Sequence, residues 1–172
     1  WSAVDAALRR IGGYDWVIFT STNGVDGVHS RMKELGITIQ ELAGVRLCAI
    51  GPATARRLKE IGLKADAVPE RYVSEQVVAL FKSLDMKGQK GLIPRAAVAR
   101  DVLRAGLERR GAEVHEVHVY RTAAPREGGT AITKLLSERS LDAITFTSSS
   151  TCSNFVALLG SGNMKLLKGV KL

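Results

Sequence analysis

The sequence holds only two cysteines, three histidines and four prolines in 172 residues. Cys48 and Cys152 stand far apart, which matches neither a disulfide framework nor the paired spacing of a zinc site. Cys48 lies in an apolar strand pattern and reads as a small core residue, and a cytoplasmic, reducing setting is the simplest expectation. His115 and His118 are three apart on one predicted strand, so they point to opposite faces and share no metal. Two Trp, three Tyr and four Phe are scattered along the chain, whereas a surface that stacks bases needs aromatics clustered. No apolar run reaches the roughly 18 residues of a membrane helix, and no charged-then-apolar leader opens the sequence. The abrupt start at Trp1-Ser2, without an initiator methionine, reads as that of a fragment. Ser-His-Asp, Cys-His and H-E-x-x-H constellations are missing. So are the G-x-G-x-x-G fingerprint and the G-x-x-x-x-G-K-[ST] phosphate loop.

What is present describes an ordinary globular chain, 45% hydrophobic and 24% charged. Lys and Arg outnumber Asp and Glu by 25 to 17, a net charge of +8. Solvated basic residues on helix faces account for most of that excess. The remainder suits a polyanionic partner, either nucleic acid or a small molecule, and the sparse aromatics weigh against nucleic acid.

One stretch is written twice. Asp15-Trp16-Val17-Ile18-Phe19-Thr20-Ser21 returns as Asp142-Ala143-Ile144-Thr145-Phe146-Thr147-Ser148, and Leu42-Ala43-Gly44-Val45-Arg46 returns as Leu167-Lys168-Gly169-Val170-Lys171. The separations agree, 127 positions from Asp15 to Asp142 and 125 from Gly44 to Gly169, which predicts a duplicated α/β unit. Around these phrases, short apolar runs alternate with helical patterns. Strands are predicted at Trp16 to Phe19, Arg46 to Ile50, Ala65 to Val68, Gly91 to Ile93 (ended by Pro94) and Val114 to Thr122. Helices are predicted at Ala3 to Arg10, from Thr22 or Asn23 to Leu35, at Ala53 to Ile61, from Ser74 to Leu84 and at Asp101 to Arg110. Single helices between strands call for a mostly parallel sheet. Residues 1–124 are expected to form a complete α/β domain. After the linker-like Ala123 to Gly129, residues 125–172 offer helices at Thr130 to Glu138 and Ser150 to Leu159, a strand at Ala143 to Thr147 and a strand start at Val170. Two strands are too few for a stable α/β domain, so this second one is expected to be truncated.

In open parallel sheets ligands lie beyond the carboxyl ends of the strands, where free helix N–H groups favour anions. Thr20 to Asn23, Gly51 to Thr54, Pro94-Arg95 and Thr147 to Ser150 fall at such ends and are rich in hydroxyl, amide or guanidinium groups. Each alone is ordinary helix capping; together they suit a surface for many anionic groups. Arg95 and Arg100 are better anion candidates than Arg109-Arg110 on a solvated helix end. Tyr120, placed on the same strand face as His118, can donate a proton from a strand end.

These residues, with Ala49-Ile50-Gly51-Pro52-Ala53-Thr54-Ala55, Leu92-Ile93-Pro94-Arg95 and Val119-Tyr120-Arg121-Thr122, resemble the uroporphyrinogen-III synthase family from end to end. The resemblance implies two flavodoxin-like domains with the active site in the cleft between them. It implies closure of hydroxymethylbilane, a linear tetrapyrrole with eight carboxylates, into uroporphyrinogen III, with inversion of ring D and loss of water. The enzyme is expected to be a cofactor-free and metal-free monomer that binds neither nucleic acid nor membrane. Thr20, Ser21, Asn23, Gly51, Thr54, Ser148 and Ser150 match positions that hold the carboxylates, with Ser21 and Ser148 expected to face one polyanion from opposite lobes. Tyr120 matches the tyrosine proposed to act as general acid on the departing hydroxyl. The second Ile-Gly-Pro-x-Thr-Ala copy and the opening strands of its domain are missing, so the chain alone is expected to be inactive. A two-lobed polyanion-binding protein without catalysis is the alternative.

Overall fold

The run Trp16-Val17-Ile18-Phe19 forms β1 (Trp16–Phe19), and all four residues are buried. Burial on successive residues requires cover on both faces of a sheet. In the computed structural model, which describes residues 1–70, 73–97, 102–121, 128–146 and 148–172, β1 pairs in parallel with β2 (Arg46–Ala49) on one side and β3 (Lys90–Ala96) on the other. Beyond β3 lies β4 (Glu113–Tyr120), giving the order β2-β1-β3-β4. The residues expected to extend the sheet at 65–68 contribute a single bridge, Cys48 to Ala67.

Alternate residues of β1 build two cores. Val17 and Phe19 join Leu47, Leu92 and Val117 beneath α1 (Ser2–Leu8), α2 (Thr22–Glu34) and α3 (Pro52–Glu60). Trp16 and Ile18 join Cys48, Ile93 and Val114 beneath α4 (Ser74–Leu80) and α5 (Val102–Glu108). Each large apolar side chain so enclosed contributes about 1.5–3 kcal/mol. Burial pushes the Cys48 thiol up to about 12, in keeping with a core residue.

Several boundaries differ from the sequence reading. Ser21, rather than Thr22 or Asn23, caps α2. Ser2 and Ser74 open their helices behind Trp1 and Val73. Pro94 does not end its strand: β3 runs on to Ala96. The β1 ladder stops at Val17 opposite Leu92, so from Ile93 onward β3 has β4 as its ladder partner. A strand paired on one side tolerates the missing N–H of proline.

The backbone divides into two units, Trp1–Thr122 and Ala123–Leu172. The second contains α6 (Gly129–Ser137), α7 (Ser149–Leu159) and a 3-10 stretch at Ser161–Leu167. Most of the linker-like stretch lies outside the described residues. The strand expected at Ala143 to Thr147 is not formed among the described residues. Ala143 makes one parallel bridge to Lys171, supported by Ile144 N–H donating to the Lys171 carbonyl at 2.8 Å and Lys171 N–H donating to Asp142 at 3.0 Å. A ladder needs a run of partners, and the chain presents one.

The repeated phrases nonetheless adopt one local structure. Val45 N–H donates to the Leu42 carbonyl at 3.0 Å and Val170 N–H to the Leu167 carbonyl at 3.0 Å. The central pairs match: Ala43 at φ −61, ψ 121 before Gly44 at φ 90, and Lys168 at φ −62, ψ 118 before Gly169 at φ 93. This is a type II turn, whose third residue needs positive φ and therefore glycine. Each turn returns the chain to its Asp, since Arg46 N–H donates to Asp15 at 3.1 Å as Lys171 does to Asp142.

Candidate functional site

After β1 the chain crosses to β2 on one side and later returns to β3 on the other, so the topological switch point lies at the carboxyl ends of β1 and β3. Ser21 stands there in extended backbone, and its Oγ accepts the Gly24 N–H at 3.0 Å, capping α2. The same Oγ lies 3.0 Å from the Tyr120 hydroxyl, which arrives from the end of β4.

Two features bring these hydroxyls together. The first is a register shift. Arg95 pairs with His118, but Ala96 pairs with Tyr120, so β4 carries one extra residue at its end. This bulge turns Tyr120 off the face of His118 and onto the α2 side, where its ring packs against the first core. The expectation that His118 and Tyr120 share a face is therefore corrected. The second feature is a pair of glycines on α2. A Cβ at Gly24 would stand 3.1 Å from the Pro94 carbonyl oxygen, and one at Gly27 would stand 3.0 Å from the Val119 carbonyl oxygen. With neither Cβ present, α2 lies directly on the backbone ends of β3 and β4. Sequence reasoning passed over Gly27; its signal was a glycine in a helix interior, which costs about 1 kcal/mol and so points to a packing reason.

The remaining candidates fall along the same sheet edge or in the second unit. Thr20 is half-buried beside Ser21, and Asn23 is exposed in the first turn of α2. Gly51 is the buried, extended N-cap of α3, next to β1 through Ile50 N–H donating to Phe19 at 2.9 Å. Thr54 is 4% exposed, so its side chain sits within α3 packing rather than open to a ligand. Arg95, 7% exposed, is ion-paired to Glu116 of β4. In the second unit Ser148 caps α7, its Oγ accepting the Thr151 N–H at 3.2 Å, the same i to i+3 cap that Ser21 makes. Ser150 lies in the first turn of α7. Arg100 and Thr147 lie outside the described residues.

The helix ends share an electrostatic trait. The first turns of α2, α3 and α7, like those of α5 and α6, carry no acidic residue, whereas those of α1 and α4 carry Asp5 and Glu75. An unneutralised N-terminus keeps its N–H groups and its share of the helix dipole for an anion. Surface concavities of about 590 Å³ at Gly129 to Asn163 and about 410 Å³ at His29 to Gln40 are lined by none of Ser21, Gly51 and Ser148. Among the described residues no group of three His, Cys, Asp or Glu is placed to hold a metal ion, and no helix is long and apolar enough to cross a membrane.

The family model described as uroporphyrinogen-III synthase HemD matches residues 1–172. The chain belongs to the uroporphyrinogen-III synthase family. A relative from Methanothermobacter thermautotrophicus is 36% identical over 95% of this chain and 64% of its own length. The uroporphyrinogen-III synthase of Synechococcus elongatus is 31% identical over 94% of this chain and 61% of its own length. The chain thus spans under two thirds of the curated relatives it matches. A crystal structure of a mutant uroporphyrinogen III synthase from Thermus thermophilus superposes with a TM-score of 0.65 at 23% identity, covering 96% of this chain and 64% of that one. That likeness bears on the fold, which is α/β with a parallel sheet.

Proposed function

We propose that this chain, within an enzyme of its relatives' full length, serves a uroporphyrinogen-III synthase: a cyclising hydro-lyase that converts hydroxymethylbilane to uroporphyrinogen III with loss of water. Family membership supports the reaction, and the hydrogen-bonded Ser21 and Tyr120 at the switch point support its place on the chain. In this reading residues 1–124 are a whole domain and 125–172 part of a second. The N-termini of α2, α3 and α7, with Thr20, Asn23, Gly51, Ser148 and Ser150, hold substrate carboxylates through backbone N–H and hydroxyl donors, and Ser21 contributes by capping the α2 N-terminus. Thr54 and Arg95 act from behind, the one packing α3 and the other locking β3 to β4 through Glu116.

Tyr120 is the general acid. Its phenol proton passes to the departing hydroxyl, and the C–O electron pair leaves with it as water. Holding the flexible chain bent for ring closure supplies much of the remaining rate. The enzyme works without cofactor as a cytoplasmic monomer. A polyanion-binding protein without catalysis has no comparable support.

Product analysis tests the reading. Full-length enzyme incubated with hydroxymethylbilane is expected to give the type III isomer. The type I isomer alone, which forms spontaneously, would sink it.

A further inference from the structure

We propose that Ser21 is a positioning residue for Tyr120, orienting the phenol and supporting the phenolate that forms when its proton leaves. The proposal rests on the synthase reading and assigns Ser21 a task distinct from holding a carboxylate.

A serine hydroxyl offers one proton and two acceptor positions. Ser21 commits one acceptor position to the Gly24 N–H at 3.0 Å, which fixes the oxygen on the first turn of α2. Its proton is then available to the Tyr120 oxygen at 3.0 Å. With the phenol's own proton committed to the departing hydroxyl, the serine O–H is the donor of this pair, and the polarity then runs from a helix N-terminal N–H, through the serine O–H, to the phenol oxygen. Every donor in that series points toward the atom that gains negative charge, so the series strengthens as the proton departs. The proton released on ring closure restores the phenol, which balances the loss of water.

Both ends of the contact stand on rigid elements. Gly24 and Gly27 seat α2 on the backbone of β3 and β4, and the bulge at Ala96 and Tyr120 turns the ring toward it. A Ser21 dedicated to a carboxylate would need none of this, because a strand-end hydroxyl can face solvent directly. The contact joins residues 99 apart in sequence.

The test is kinetic, in the full-length enzyme, with the variants Ser21→Gly, Ser21→Thr, Tyr120→Phe and the double Ser21→Gly/Tyr120→Phe. Glycine is a serviceable N-cap, so Ser21→Gly removes the hydroxyl while α2 stays formed. We expect kcat to fall about tenfold with KM within about twofold, one hydrogen bond's worth confined to the chemical step. Ser21→Thr is expected to keep most of kcat, and the double variant to fall no further than Tyr120→Phe alone. Losses that multiply in the double variant, or a raised KM at unchanged kcat, overturn the proposal while leaving the synthase reading intact. A wild type that gives only the type I isomer overturns both. Thermal unfolding of the same four proteins reads the contact without turnover, and additive shifts in melting temperature would show that the hydroxyls do not interact.

Discussion

Gly27→Ala sets two opposed effects against each other, and the structure decides between them. Alanine in a helix interior gains about 1 kcal/mol over glycine. Its Cβ, however, would stand 3.0 Å from the Val119 carbonyl oxygen and 3.1 Å from Val119 Cβ and Cγ2. Val119 is buried in β4 and cannot give way, so α2 must lift by a few tenths of an ångström. Overpacking of this kind costs about 1–3 kcal/mol. The net expectation is a loss of about 1 kcal/mol, or roughly 4 °C in melting temperature for a unit of this size. The lift also stretches the Ser21 to Tyr120 contact from its 3.0 Å. Far-UV circular dichroism melts of wild type and variant supply the measurement. A variant that melts several degrees higher, as helix propensity alone dictates, would refute the seating of α2 on the strand ends.

Two further outcomes follow from the cores. The Cys48 thiol, raised by burial from an ordinary value near 9 to about 12, stays protonated in the folded chain while the unfolded chain ionises. Its contribution to stability is therefore whole below pH 9 and lost as pH rises toward 12; urea titrations should show that alkaline decline, and Cys48→Ala should lessen it. Glu116→Ala takes one carboxylate partner from Arg95, a residue 7% exposed, and is expected to destabilise the chain by more than the roughly 1 kcal/mol of a surface pair in chemical denaturation. A loss below about 1 kcal/mol would mean that the pair behaves like a surface one.

The parts legible in the sequence were those settled by local chemistry. The Asp15 and Asp142 phrases share caps at Ser21 and Ser148, and the Gly44 and Gly169 phrases share a type II turn. Neighbouring residues determine both motifs, so repetition in sequence became repetition in structure. The alternation of strands and helices, and with it the parallel sheet, followed from hydrophobic period. What could not be read depends on distant partners. Among the described residues the second copy of the strand makes one bridge, to Lys171, where a ladder needs a run of partners. The bulge that turns Tyr120 is a property of two strands in register, so period-2 reasoning on β4 alone put its side chain on the wrong face. Arg95 had the composition of an anion-binding residue, yet its charge meets Glu116, 21 positions away. Thr54 is the third residue of α3, where helical rotation carries it into the packing.

The central question is whether the polycarboxylate sits at the capped N-termini of α2 and α7. Backbone amide shifts of isotope-labelled full-length enzyme, titrated with uroporphyrinogen III at low and high salt, test this most directly. We predict the largest shifts at Ser21 to Gly24 and Ser148 to Thr151, weakening as salt screens the helix termini. Shifts confined to the concavity at His29 to Gln40, with the two caps unmoved, would contradict it.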